Sequence, residues 1–374
     1  MRGIDSVDIT ARSVASLDAL DADALAVLAA GSAGLFTSLP WWGTVLHHAM
    51  PAGSTADFVT IRRRDAVLAV VPMLRRHRQF GSLTTPYSCV FAPAFAAGLD
   101  RAARIAAMAG LARFCGSAGV VRLDALPAEW DGLADLEAGA RRAGLVPLRF
   151  DHFGNWHEDV AGQGWTAYLG RRPGALRETI RRRLRRAEKL PDSHFEVLSG
   201  PAGIDGAAAV FESVYAKSWK EPEPFPTFNA ALMRAVAGTG QLRLGVWSIG
   251  TDPVAVQFWV VTGGGAIVLK LAHDEAFKAH SPGTVLTALM LRHLLDVEQV
   301  TRIDFGRGDD GYKKGWAAER RQRIGLLLAN PRSAPGAMQL ARHAAGATWR
   351  RLRQIRRSGG GGGAWWPNRL VRRQ

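Results

Sequence analysis

The sequence predicts an α/β protein (α+β) of two successive units, each built on a mixed, mostly antiparallel sheet. Three observations carry that prediction. The order helix, three antiparallel strands, helix, strand can be read twice along the chain. The strands of each set are joined by short polar or glycine turns, such as "GTDP" (250–253) and "GGG" (263–265). The pentapeptides "VVRLD" (120–124) and "VTRID" (300–304) occupy equivalent places in the two sets. A length of 374 residues also suits two domains.

Residues 1–34 are rich in Ala and Asp and are expected to form a loose segment. A first unit then spans 35–160. "SLPWWGTVLHHAM" (38–50) reads as a helix, and "ADFVTIRRRDAVLAVVPMLRR" (56–76) as a hairpin of two β-rich runs around a polar turn. "SLTTPYSCVFAP" (82–93) is expected to give a third strand. A glycine-closed helix follows at 101–119, then a strand at 120–126, a helix at 129–144 and a strand at 145–150. The second unit spans 161–330. It holds a strand at 194–198, helices at 204–219 and 229–238, three strands through "AIVLKLAHD", a helix at 284–299 and the strands "TRIDF" and "RIGLLLA". Residues 331–374 form a basic tail.

Composition narrows the function classes. The net charge is +15, but residues 171–189 carry nine basic and two acidic residues, and 331–374 carry ten arginines and no acid. Those segments hold +7 and +10, so the remaining body is near −2. A nucleic-acid binder would place a basic face on the body itself. Cys89 and Cys115 stand far apart and read as buried thiols of a reducing compartment. Asp5, Asp8, Asp18, Asp21 and Asp23 crowd the N-terminal region, which has neither the basic start nor the apolar run of a signal peptide. No stretch of about 18 uncharged apolar residues suggests a membrane span. A cytoplasmic protein is expected. The histidines show no zinc spacing, so no metal is expected.

Four motifs carry chemistry. "GRGDDG" (306–311) fits G-x-G-x-x-G, but no apolar helix follows it, so it reads as a tight loop at a strand's carboxyl end rather than a nucleotide-binding turn. "HSPGTVL" (280–286) offers Ser281 as N-cap, Pro282 as first helical residue and Gly283 as an uncovered helix start. The free amides of Gly283 and Thr284 would suit a phosphate; an ordinary capped helix is the alternative. In "ALRETIRRRLRRAEKL", Leu176, Ile180, Leu184 and Ala187 form a narrow apolar stripe among arginines, which suits a packed linker helix or a phosphate contact. In "YAKSWKEPEPFP", Trp219 and Lys220 precede a proline-rich loop, where they either line a substrate cleft or plug the core.

With the element order, the stretches "RETIRRRLRRAEK", "YAKSWK", "LAHDEAFKAHSPGTVL" and "RIDFGRGDDGYKKGW" resemble the GNAT acyltransferase superfamily. They look like its CelD-type branch from cellulose and exopolysaccharide biosynthesis, which is similar to the tandem-domain Fem-type peptidyltransferases. The resemblance covers roughly 35–330 and is strongest over 171–316. It implies tandem GNAT-like (acyl-CoA N-acyltransferase) domains and acetyl-CoA or another acyl-CoA as co-substrate. The donor would lie along the strand carrying Lys270 and reach a helix start at Ser281, Gly283 and Thr284. "GRGDDGYKKGW" would wall the reaction site, with Asp309 and Lys313 joining Trp219 and Lys220 as substrate contacts. Asp304 is the candidate general base, or else a strand-end cap; Tyr312 is the candidate acid for the leaving thiolate. The first unit lacks the Ser-Pro-Gly start and is expected to have lost its donor site. The acceptor would be a small molecule or glycan precursor. A non-catalytic assembly factor, and a Fem-like enzyme drawing on aminoacyl-tRNA, are the competing readings. The tail pairs tryptophans with arginines and suits peripheral attachment to an anionic inner-membrane surface.

Overall fold

The computed structural model describes residues 8–31 and 34–358, with side chains through residue 346. The first half runs β1 (Ile9–Val14), α1 (Ala22–Ala30), α2 (Leu39–His48), β2 (Thr55–Arg63), β3 (Ala66–Arg76), β4 (Gln79–Ser82), β5 (Ala94–Phe95), α3 (Arg101–Phe114), β6 (Val120–Pro127), α4 (Gly132–Arg142) and β7 (Val146–Asp159). Two linker helices follow, α5 (Trp165–Gly170) and α6 (Gly174–Ala187). The second half runs β8 (Ser193–Leu198), α7 (Ile204–Ala216), α8 (Phe228–Gly238), β9 (Leu242–Ile249), β10 (Asp252–Thr262), β11 (Gly265–His273), α9 (Pro282–Asp296), β12 (Arg302–Arg307), α10 (Lys313–Trp316) and β13 (Glu319–Ala329), before the closing helix α11 (Ala334–Ser358).

Local chemistry sets the helix starts. Asp21 caps α1 by accepting from the Ala24 amide at 3.0 Å, and Asp100 caps α3 by accepting from Ala103 at 2.7 Å. Ser38 caps α2, with Pro40 in its first turn. The stripe Leu176, Ile180, Leu184 and Ala187 turns α6 onto the second half: Ile180 and Ala187 are buried and the two leucines pack against that core.

All strands join one mixed sheet in the order β1-β2-β3-β4-β6-β13-β7-β12-β11-β10-β9-β8, with β5 beside β3. The order is pseudo-symmetric about its centre, with β1 to β4 and β6 matching β8 to β12. The pentapeptide echo falls on β6 and β12, each paired in parallel with the strand before its helix. The two last strands are exchanged. β7 follows the first half in sequence yet pairs with β12, while β13 ends the second half and pairs with β6; the two pair with each other over eleven registers at the centre. On the helical side, α2 packs on α8 with Trp41 edge-on to Phe228 at 5.5 Å, and Tyr87 stacks on Phe228 at 4.4 Å. Aromatic packing of this kind adds about 0.5–1.5 kcal/mol per pair beyond area burial.

Two expectations need correction. Residues 9–30 are not loose: β1 pairs with β2 and α1 buries Ala24 and Leu28, because that segment supplies the first half with the counterpart of β8 and α7. The third strand is not 82–93 but β4, at 79–82; Pro86 and Pro93 then hold the chain out of the ladder. Of the tail, α11 is helical, whereas Gly359–Gly363 and "AWWPNRLVRRQ" lie outside the described residues.

Candidate active site

β11 and β12 pair in parallel only at Gly265–Arg302, Ala266–Ile303 and Ile267–Asp304, and then part. Two backbone devices shape the gap. On β11 the register with β10 skips from Val268–Trp259 to Lys270–Phe258, which leaves Leu269 bulged and outside the ladder. On β12, Gly306 takes φ +68°, and a Cβ there would stand 2.5 Å from the Val268 carbonyl oxygen, so only glycine fits at the point of divergence.

A cavity of about 410 Å³ fills the gap. β11 contributes Val268 to Leu271, β12 and its loop contribute Phe305, Arg307, Asp310, Tyr312 and Lys313, and the segment after α7 contributes Trp219 and Lys220. The far wall comes from the first half, through Trp41, Pro86, Tyr87 and Cys89. The cavity therefore belongs to both halves.

Asp304 does not line it. One carboxylate oxygen accepts from Asn155 Nδ2 and the Gly306 amide, both at 2.7 Å, and the other accepts from Arg321 at 2.5 Å. These bonds occupy the carboxylate and fix the bend at Gly306, the arrangement of a strand-end cap, the second of its two expected readings. Asp309 also turns away: it accepts from Trp156 Nε1 and pairs with Arg320 on the outer face. Its neighbour Asp310 is the carboxylate that reaches the cavity, held at 3.0 Å from Lys313. Lys313 is buried, donates to the Arg307 carbonyl at 2.6 Å and so ties the loop shut.

The other expected residues converge. Trp219 stands 52% exposed at the rim and Lys220 lies further in, with its ammonium 5.6 Å from the Trp219 ring centre. Burial, then the charge of Lys270, lowers the pKa of Lys220. Lys270 pairs with Glu223, which also accepts from the Tyr215 hydroxyl, and its ammonium lies 4.6 Å over the Tyr87 ring. Burial and then repulsion of the phenolate by the Asp310 carboxylate push the Tyr312 hydroxyl up, so it stays protonated in the physiological range. Cys89 is equally unready as a nucleophile, its thiol pushed up to about 12 by burial.

The start of α9 lies beyond the end of β11, outside the cavity's lining. Ser281 takes φ +55° and makes no side-chain cap; instead its carbonyl accepts from Thr284 at 3.0 Å and Val285 at 3.2 Å. The Thr284 amide is thus engaged, and Gly283 keeps the uncovered start. His273 links the two places. Its ring lies 4.4 Å from that of Trp219, and a Cβ on Gly283 would stand 3.6 Å from its Nδ1, which is buried without a partner. The first half shows the contrast. β4 is only four residues long, the Ser82 hydroxyl binds the Asp124 amide across the place of the gap, and Asp100 already puts a carboxylate on the start of α3.

Residues 174–314 match the family model "Acetyltransferase (GNAT) domain". With the repeated sheet, this makes the fold a tandem GNAT-like one. Among solved structures, FemX aligns at 12% identity and a TM-score of 0.53, covering 79% of this chain and 92% of that one. A conserved protein of unknown function from Bacteroides thetaiotaomicron aligns at 12% identity and a TM-score of 0.54, covering 85% and 99%. L-PGS from Bacillus licheniformis aligns at 13% identity and a TM-score of 0.50, covering 80% and 94%. These are likenesses of fold. No curated protein sequence matches the chain.

Arg307, Glu223, Tyr215 and Tyr87 are site residues that the sequence did not single out. Arg307 sits inside the glycine-rich motif and could have been weighed; the others announce themselves only through tertiary contact. Among the described residues, no group of three or more His, Cys, Asp or Glu side chains is arranged to hold a metal. None of the described helices is long and apolar enough to cross a membrane.

Proposed function

We propose that the chain is an acyltransferase that moves an acyl group from a CoA thioester to an amine or hydroxyl acceptor at the cavity between β11 and β12. The observation that carries this reading is the parting of the two parallel strands beside the bulged Leu269. A bulge frees a backbone amide from the ladder, and such an amide suits the oxygen of a thioester carbonyl as charge builds on it. The donor's pyrophosphate would take the helix start at Gly283, where the dipole favours anions and no side chain intrudes. Asp310 replaces Asp304 as the group to accept the acceptor's proton, and Tyr312 would return one to the leaving thiolate. Both roles follow from position in the cavity wall.

The finer reading is the CelD-type one: a glycan-precursor acceptor in exopolysaccharide or cell-envelope biosynthesis, handled in the cytoplasm or at its membrane surface. A second donor is favoured by the likeness to FemX together with the arginine face of α6, where Arg181, Arg182, Arg185 and Arg186 are exposed. In that case aminoacyl-tRNA would take the place of acyl-CoA. Calorimetric titration with acetyl-CoA and longer acyl-CoAs, followed by release of free CoA thiol with amine and hydroxyl acceptors, tests the main reading. Binding and acceptor-dependent thiol release are expected. No binding of any acyl-CoA, with charged tRNA bound instead, would replace it by the second.

A further inference from the structure

The cavity's charge is not balanced. Four cations line it, Lys220, Lys270, Arg307 and Lys313, against the single carboxylate of Asp310. Two of the four are matched: Lys270 by Glu223, which stands behind the wall, and Lys313 by Asp310. Lys220 and Arg307 have no carboxylate partner. The Arg307 guanidinium lies 4.1 Å over the Phe153 ring, donates to the Ser88 carbonyl at 3.1 Å and meets His152 Nε2 at 3.4 Å, contacts that anchor it without supplying a carboxylate. Burial lowers the pKa of both groups, the mark of cations held in a site that lacks its counter-charge. The Tyr87 hydroxyl is buried beside Glu223, and its ring is fixed between Phe228 and the Lys270 ammonium.

We infer that the acceptor of the proposed transfer carries an anionic group, a carboxylate or a phosphate, and that Lys220 and Arg307 receive it. The inference rests on the acyltransferase reading for the identity of the ligand. The charge itself belongs to the acceptor side, because Tyr87 and the anchors of Arg307, Ser88 and Phe153, come from the first half, across the cavity from β11. The donor's phosphates have their own place at Gly283. The same chemistry explains why Lys220 can be buried beside Lys270: with an anion bound, repulsion between two ammonium groups becomes attraction to a shared partner.

Matched acceptors test this. Glucosamine 6-phosphate is compared with glucosamine, and L-glutamate with L-glutamine amide, with acetyl-CoA as donor and free thiol as readout. Within at least one pair the charged member is expected to react with a kcat/KM at least about tenfold higher, as loss of a charge-assisted contact implies. Lys220→Gln and Arg307→Gln should each narrow that ratio, mainly through KM. Inorganic phosphate gives a readout independent of turnover: it should raise the melting temperature of the full chain, and less so that of Lys220→Gln. If acetyl-CoA binds and the neutral members react as well as the charged ones, the inference is overturned while the transferase reading stands. If no acyl-CoA binds but phosphate still stabilises the wild type through Lys220, the transferase reading fails and the anion site remains. No phosphate effect and no charge preference would remove the site altogether.

Discussion

Replacing Asp304 separates a brace from a base. The carboxylate is buried and accepts from Asn155, from the Gly306 amide and from Arg321. Asp304→Ala would orphan all three donors at once. Breaking a buried pair by removing one partner costs about 3–5 kcal/mol. Unfolding entropy of roughly 2.1 cal/mol/K per residue over this chain comes to about 0.8 kcal/mol/K, so the melting temperature should fall by about 4–6 °C. Asp304→Asn keeps one acceptor oxygen and should cost less than half of that. Differential scanning calorimetry of the three proteins gives the shifts, and thiol release with acetyl-CoA gives the rates. A brace predicts that stability falls in the order wild type, Asn, Ala, with the rate falling in step as the gap loosens. If Asp304→Asn melts like the wild type but loses turnover by several orders of magnitude, Asp304 is the base and the assignment of Asp310 is wrong.

Other outcomes follow from the same geometry. Gly283→Glu should abolish acyl-CoA binding and leave the fold intact, because its Cβ would meet only His273 at an ordinary 3.6 Å while its charge opposes the phosphates; unchanged affinity in a calorimetric titration would refute the helix-start site. Stability should fall between about pH 7 and 5. Burial lowers the pKa of His152, His157 and His273 below the usual 6.5, so in that window the unfolded chain binds more protons than the folded one; a melting temperature that holds or rises as pH falls would contradict this. Full-length protein should float with anionic vesicles at low salt and be released at high salt. A chain ending at Asn330, whose bonds to Gly116 and Gly119 close the body, should stay in solution; equal behaviour would mean that 331–374 is no membrane anchor.

What the sequence made legible was what local chemistry specifies. The repeat of element order placed the strands other than β1, β4 and β5, the pentapeptide echo marked β6 and β12, and Ser-Pro-Gly marked the start of α9. The same stretch misled in detail: Ser281 suits an N-cap by type, but its left-handed backbone turns the side chain out of capping position. For Asp304 the sequence left base and strand-end cap open because its partners are remote, Asn155 lying 149 residues away on β7. Asp309 and Asp310 are adjacent and chemically alike, and only the fold sends one to Arg320 and the other to the cavity. The exchange of β7 and β13 left no local signal, since strand pattern says nothing of partner.

That exchange has a consequence for how a duplicated fold comes to hold one site. β12 lies against β7, and the loop after it returns through β13, which is paired on its far edge with β6 of the first half. The loop carrying Asp310, Tyr312 and Lys313 is therefore held at both ends by strands that bind the two halves together. The first half shows no such gap: β4 stops at Ser82, and the chain beyond it carries Pro86, Tyr87 and Cys89 into the cavity of the other half. The Ser82 bridge closes the place of the gap there, and Asp100 puts a carboxylate on the start of α3 where the second half has Gly283. One half supplies the parted strands and the uncovered helix start. The other supplies Tyr87 and the anchors of Arg307, the side proposed to meet the acceptor. Loosening the β7–β13 seam should on this view damage acceptor selection before donor binding, since α9, β11 and the start of β12 lie wholly within the second half.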